Sequence, residues 1–321
     1  MSTKDSRKRP SIIIVIPAFE VAEQIISVIR EIDKSVTQII VVDDLCPEKS
    51  GYKVVKEVKD KRVKVLFNEN NLGVGGSMIR GYTEAMKSNP EYVVKLDGDG
   101  QMDPKLVPLF ISELENSGGD YAKGNRFANP ENLKSMPKIR IFGNLILSFL
   151  AKFSTGYWNI FDPNNGFTVI KGKTLAQLPF HKISQRYFFE SDMLFRLNLL
   201  GAEVVDVPMT AVYGTEKSNL NLAKTLLEFP AKHLKNFLKR ITYNYFLRDF
   251  NLASIELVLG INFLFYGTLT GAISYAHAVR TESPMSVGIL ILVSILIISG
   301  LQLILSFFSF DMNVRNQKRS R

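Results

Sequence analysis

The run Val93-Val94-Lys95-Leu96-Asp97-Gly98-Asp99-Gly100-Gln101-Met102-Asp103-Pro104 decides how the chain reads. Its apolar front half reads as a short buried strand, and Gly98 and Gly100 break that strand so that Asp97 and Asp99 stand at its end. Carboxylates one residue apart in an extended chain point to opposite faces, but a glycine between them and another after them relaxes the rule. Both acids can then turn toward one hard cation, Mg²⁺ or Mn²⁺, with Gln101 as a neutral oxygen ligand. So few protein ligands leave positions open for substrate phosphates. The alternative is an acidic turn without a ligand, and the rest of the chain has to decide between them.

Upstream, strands and helices alternate. Residues 12–16 are apolar and β-branched, as a central parallel strand covered on both faces requires, and 38–42 and 63–67 follow the same pattern. Helices are expected over 22–34, 52–59 and 75–86. The alternation implies right-handed crossovers and an α/β fold with a doubly wound, mostly parallel sheet. Ligands of such sheets sit beyond the carboxyl ends of the strands. Pro17-Ala18-Phe19-Glu20, Asp43-Asp44, the Asn71 to Gly73 loop and Asp97 to Gln101 all fall there, so they should share one crevice. Gly73-Val74-Gly75-Gly76 lies in the wrong turn for a dinucleotide fingerprint; its glycines serve either close helix packing or phosphate contact.

The chain has 321 residues and a formal net charge of +9. No basic patch interleaved with aromatics occurs in the first half, which argues against nucleic acid, and the excess charge collects beside apolar runs in the last third, as at an anionic membrane surface. Cys46 is the single cysteine, so internal disulfides and cysteine-rich zinc sites are excluded, and His181, His233 and His277 make no ligand pattern. Lys4, Arg7, Lys8 and Arg9 precede a run too short for a signal peptide, so 1–10 is expected to be a disordered basic tail.

The apolar run 141–153 is too short to span a bilayer and reads either as a membrane-grazing helix or as core. Residues 222–250 form an amphipathic helical pattern divided by Pro230, suited to a membrane interface or to packing on the protein's own core. The runs 257–279 and 285–310 are each long enough to cross a bilayer. Basic residues before the first span and in Arg315, Lys318, Arg319 and Arg321 put that side, and both termini, in the cytosol.

A strand ending in Asp-Gly-Asp-Gly-Gln-Met after alternating strand and helix units resembles family 2 glycosyltransferases of the GT-A fold. Within them the chain is similar to the branch of dolichol-phosphate mannose synthase and bacterial polyprenyl-phosphate glycosyltransferases. The resemblance runs from Ser11 to Leu220 and extends to the layout of the tail. It implies that Pro17, Ala18, Phe19 and Glu20 border the nucleotide base, that Asp43 and Asp44 bind base and ribose, and that Asn71, Gly73, Asp97 and Gly98 complete the nucleotide-sugar site. Arg126 and Arg140 resemble the arginines this branch sets against phosphate groups, a task suited to a planar fork. Asp162 to Phe167 resembles the Asp-x-x-x-Gly-aromatic segment, Asp192 matches the acid that recurs in the branch, Glu190 lies near the catalytic base of other branches, and Lys217 fits the lysine of the branch's Arg-x-x-Gly-x-Ser-Lys loop. The chain departs from the pattern at Glu20-Val21, Leu45-Cys46, Ala211 and Glu216.

The resemblance thus implies an inverting, metal-dependent transferase that moves a sugar from a nucleotide-diphosphate sugar to a membrane polyprenyl phosphate on the cytoplasmic face of the cytoplasmic membrane. It leaves homo-oligomerisation open. The expected domains are a catalytic domain over 11–219, juxtamembrane helices over 220–250, a transmembrane hairpin over 251–310 and a basic cytoplasmic tail over 311–321. Two alternatives stand beside this reading: a lipid or glycan hydroxyl as acceptor, and a non-catalytic nucleotide-binding membrane scaffold.

Overall fold

The computed structural model describes residues 10–128, 138–210 and 222–319; for 138–140, 222–227 and 315–319 it describes the backbone. Seven strands form one sheet: β1 Ile12–Ala18, β2 Gln38–Asp43, β3 Val63–Phe67, β4 Tyr92–Lys95, β5 Tyr121–Asn125, β6 Thr168–Lys171 and β7 Val204–Pro208. Their order is β3-β2-β1-β4-β6-β5-β7. All neighbours run parallel except β6, which is antiparallel to both β4 and β5. The α/β sheet is therefore mostly parallel, as its sequence pattern demands. The reversal of β6 brings its first residue, Thr168, opposite Lys95 of β4 and Lys123 of β5. The segment leading into β6 consequently enters at the edge where its neighbours end.

Side-chain alternation builds a core on each face of the sheet. Ile12, Ile14 and Ile16 pack with Ile25, Ile29 and Phe110 on one face, and Ile13 and Val15 with Met78, Tyr82 and Met193 on the other. The helices of this part are α1 Ile25–Glu31, α2 Ser50–Glu57, α3 Gly73–Met86, α4 Val107–Ser117, α5 Lys138–Thr155, the single turn α6 Gly172–Leu175, and α7 Phe189–Leu200. α1 is shorter than the expected 22–34: it begins at Ile25, after Val21 and Ala22 have donated their N–H groups to Ser50 and Glu48, and it ends at Glu31, where Ile32 turns extended.

α8 spans Leu222–Thr242 and runs through Pro230 rather than being divided by it. A proline forfeits one helical hydrogen bond. Packing on either side of it makes up the loss: Phe229 stacks edge-on against Phe188, and His233 bonds to Ser154. The chain forms two compact units that meet at Phe237 and Leu238, inside this helix.

In the second unit a π-helical turn, Tyr243–Arg248, precedes α9 Leu252–Thr281 and α10 Val287–Arg319. α9 opens on a capping box formed by Asn251 and Ser254. Both helices are long and apolar enough to cross a membrane. α10 continues beyond Phe310, and Asp311 is buried there, accepting from Arg240 at 2.6 and 3.0 Å and from the Tyr245 hydroxyl at 2.7 Å.

Candidate active site

Lys95 closes β4 and is 1% exposed, a cation at the end of an otherwise apolar strand. Its ammonium donates to Asp97 Oδ1 at 2.7 Å and lies 3.3 Å from Glu190 Oε1. Burial works against that charge, but the two carboxylates outweigh it and hold the Lys95 pKa above the ordinary lysine value. Gly166 faces the same pair: a Cβ there would collide with the Asp97 carboxylate and the Lys95 ammonium. Beyond Gly98, the Gln101 N–H donates to Asp99 Oδ1 at 3.0 Å, and Gly100 closes this turn at φ +78°, where a side chain would be strained.

Asp97, Asp99 and Gln101 present hard oxygen donors only. Among the described residues no three His, Cys, Asp or Glu side chains are grouped closely enough to hold a metal ion between them. This donor set fits a Mg²⁺- or Mn²⁺-like cation that takes its remaining oxygens from a ligand.

Asp43 and Asp44 are both buried. Asp43 accepts from the N–H groups of Cys46 at 2.8 Å and Gly51 at 2.6 Å, which fixes the turn into α2. Asp44 accepts from Leu72 and Gly73 N–H at 2.8 and 2.7 Å and from the Asn68 amide at 2.7 Å, which fixes the start of α3. Asn71 donates to the Asp44 carbonyl at 3.3 Å, and the Asp44 N–H reaches the Ala18 carbonyl at 3.1 Å. Residues 17–20, 43–44 and 71–73 therefore meet at the ends of β1 and β2. Phe19 lies exposed there; Glu20, at φ 56°, donates its N–H to Cys46 Sγ at 3.1 Å. The glycines at 73 and 75 leave room for the backbone of residues 184 and 185, and Gly76 N–H donates to the Gln185 carbonyl at 2.8 Å. Close packing accounts for this glycine run.

Arg126 follows β5 and grips the buried Asp162 with a bidentate pair, Nε to Oδ2 at 2.7 Å and Nη2 to Oδ1 at 2.9 Å. Lys123 donates to the Asn165 carbonyl at 2.5 Å, and burial lowers its pKa to about 8. Asn125 donates to Asp206 Oδ2 at 2.5 Å, while Asp206 Oδ1 is buried without a partner among the described residues. Burial, with Asp162 nearby, raises the Asp206 pKa to about 6 despite the Asn125 bond. On α7, Asp192 is engaged through both oxygens: Oδ2 accepts from Ser184 N–H at 2.9 Å and from Arg196 at 3.3 and 3.2 Å, and Oδ1 accepts from Asn236 at 3.1 Å.

The structure thus joins Asp97, Glu190 and the 162–166 segment through Lys95 and Gly166, and sets Arg126 on the same segment. Lys217, with residues 211–221, lies outside the described residues, and Arg140 is described by its backbone in α5. Sequence reasoning passed over Lys95, Lys123 and Arg186. A lysine inside an apolar run was the available signal for the first. Arg186, which donates to Asn71 Oδ1 at 3.1 Å, had none.

The chain matches the family described as Glycosyl transferase family 2 over residues 13–178, just over half its length. It is 28% identical to UDP-N-acetylglucosamine–dolichyl-phosphate N-acetylglucosaminyltransferase of Methanococcus voltae, over 68% of this chain and 92% of that one. It is 25% identical to undecaprenyl-phosphate mannosyltransferase of Micrococcus luteus, over 63% and 83% respectively. Among solved structures it is similar to glucosyl-3-phosphoglycerate synthase of Mycobacterium tuberculosis in complex with Mn²⁺ and UDP. That likeness has a TM-score of 0.53 and 18% identity, covers 72% of this chain and 80% of that one, and concerns the fold.

Proposed function

The chain belongs to glycosyl transferase family 2 and is a glycosyltransferase, and on that premise we propose that its acceptor is a polyprenyl phosphate at the cytoplasmic face of a membrane. The observation that carries this reading is the state of the two acids on α7. Glu190 shares the buried Lys95 ammonium with Asp97, and Asp192 is committed to Ser184, Arg196 and Asn236. Both acids are already engaged with cations or donors, which favours an acceptor that needs no base. A phosphate monoester brings its own ionised oxygen, because its second pKa is about 6. That oxygen forms the new bond to the anomeric carbon as the bond from carbon to the nucleotide diphosphate breaks, with inversion, and no proton has to be removed.

In this reading the loops at 17–20, 43–44 and 71–73 hold the nucleoside of a nucleotide-diphosphate sugar, and Asp97 and Gly98 border its diphosphate. Asp97, Asp99 and Gln101 would hold a divalent cation, which would supply positive charge where the diphosphate departs. Lys95 and Gly166 keep the Asp97 carboxylate in one position. Arg126, with Arg140 and Lys217, serves the phosphate groups of donor and acceptor.

Two features support a lipid acceptor. α9 and α10 are apolar enough to cross a membrane. On α5, Phe142, Leu145, Ile146 and Phe149 are exposed at helical spacing, the apolar face an interfacial helix lays on a bilayer, while Ser148 and Ala151 point inward.

The test is transfer from a panel of labelled UDP- and GDP-sugars by the purified full-length chain in polyprenyl-phosphate vesicles containing Mn²⁺ or Mg²⁺. We expect labelled polyprenyl-phosphate sugar, abolished by Asp99→Ala and by chelation, and only modestly reduced by Glu190→Gln. Label appearing on a glycan or diacylglycerol instead, with a loss of about 10²- to 10⁴-fold in Glu190→Gln, would reject the phosphate acceptor in favour of a hydroxyl.

A further inference from the structure

We infer that Asp206 is a positioning residue for the transfer reaction: its carboxylate fixes the Asn125 amide, and through it the turn that presents Arg126 to phosphate. The inference rests on Arg126 serving the phosphate groups of the substrates. In the parallel pair of β5 and β7, Asp206 stands beside Lys123, so Asn125, two residues on, is its diagonal neighbour on the same face. Oδ2 of Asp206 accepts from the Asn125 amide at 2.5 Å, and the oxygen of that amide accepts from Phe127 N–H at 2.8 Å. Asn125 thereby closes a turn around Arg126. Its backbone carbonyl accepts from Met209 N–H at 3.0 Å, which ties the first residue of the turn to the end of β7. From this turn Arg126 reaches across to Asp162.

For stability alone, a carboxylate is a poor choice at 206. Its other oxygen, Oδ1, is buried with no hydrogen-bond partner among the described residues, and such an atom costs free energy. The charged groups that face Asp206 are Lys123 on β5, Lys152 on α5 and Asp162 ahead of β6. Lys123 is spent on the Asn165 carbonyl, and Lys152 lies over the Phe161 ring at 5.2 Å from its centre. α4 covers the opposite face of β7, against Val205 and Val207.

What a carboxylate supplies there, and an amide does not, is acceptance alone. An ionised acid only accepts, so the Asn125 amide has to turn its nitrogen to Asp206 and its oxygen to Phe127. The bond is also charge-assisted, about twice as strong as one between neutral groups. Asp206→Asn offers either end of an amide and a neutral bond, so it holds the turn less firmly while removing the buried charge.

The test is sugar transfer by the full-length chain in vesicles, comparing wild type with Asp206→Asn between about pH 5 and about pH 8, beside a thermal melt of each. We expect Asp206→Asn to melt higher and yet to transfer about tenfold more slowly at about pH 7.5. The ratio of the two rates should fall toward one below about pH 6, where the wild-type acid takes up its proton. Taking a ratio cancels the titration of a phosphate acceptor, whose second pKa is also about 6. In an Arg126→Gln background Asp206→Asn should cost nothing further, because the group it positions is gone. Equal rates, a ratio unchanged by pH, a melting temperature that falls with the rate, or an undiminished loss beside Arg126→Gln would overturn the inference. Rates are taken on whichever acceptor the wild type labels. Label on a hydroxyl therefore removes the proposed acceptor, while the comparison of variants still decides the role of Asp206.

Discussion

Gly166 is glycine because two charged groups occupy the place where its side chain would stand. The Asp97 carboxylate and the Lys95 ammonium leave no room for a Cβ, so Gly166→Ala must push one of them aside. We predict a fall of about 10²-fold in transfer, since catalytic geometry tolerates misplacement of roughly 1 Å poorly. Steady-state rates with a thermal melt to confirm folding would check it. Asp206 has the opposite character, a carboxyl held where it is not comfortable. Burial raises its pKa to about 6 from 3.8, so the folded chain binds the proton more tightly than the unfolded one. Stability contributed by this group therefore falls as pH rises through that window and stays low above it. Asp206→Asn keeps an oxygen for Asn125 and removes the charge. It should raise the melting temperature at about pH 7.5, with the gain vanishing toward about pH 4.

At the scale of elements, α5 and α8 are clamped by Ser154 and His233, whose ring lies among Phe188 and Phe229. Burial lowers the His233 pKa to about 4, well below its ordinary 6.5. The unfolded chain binds the proton more readily, so this stability is present above pH 6.5 and is lost as pH falls toward about 4. Protection of the amides along residues 228–237, measured against their intrinsic exchange rates at each pH, should fall over that interval. The outer face of α5 makes a separate prediction. With Trp158→Phe as background, Phe149→Trp should emit at short wavelength and be quenched by shallow brominated lipids; emission typical of water with no quenching would remove α5 from the interface. The sequence left 141–153 open between core and membrane surface, because an apolar run by itself does not say which of its faces the fold will cover. Burial of Ser148, Ala151 and Ser154 settles which face is inner. Pro230 misled in the other direction: local propensity divides the helix there, and tertiary packing by Phe229 and His233 overrides it.

At the scale of the molecule, the basic flanks of the spans predict that the loop between α9 and α10 lies outside the cell and the sheet inside. A membrane-impermeant maleimide should label Ser283→Cys in intact cells, and Tyr52→Cys, exposed on α2, only after permeabilisation. The reverse pattern would invert the topology. Much of this architecture is written locally. Strands at 12–16, 38–42 and 63–67 and the two long apolar helices follow from hydrophobic period and from where glycine and proline interrupt it. The placing of Asp97 and Asp99 at the end of β4 follows from the same local signals.

What the sequence determined by itself, then, is the alternation of elements, the carboxylates at a strand end and the capacity to cross a membrane, because each depends on residues close together along the chain. Tertiary structure alone decided that β6 enters antiparallel between β4 and β5. That reversal carries Gly166 to Asp97 and Asp162 to Arg126, and the packing of α7 on the sheet brings Glu190 to Lys95. These partners are distant in sequence, and nothing periodic marks them. They meet only because a buried ammonium needs compensating carboxylates and the strand order puts them within reach.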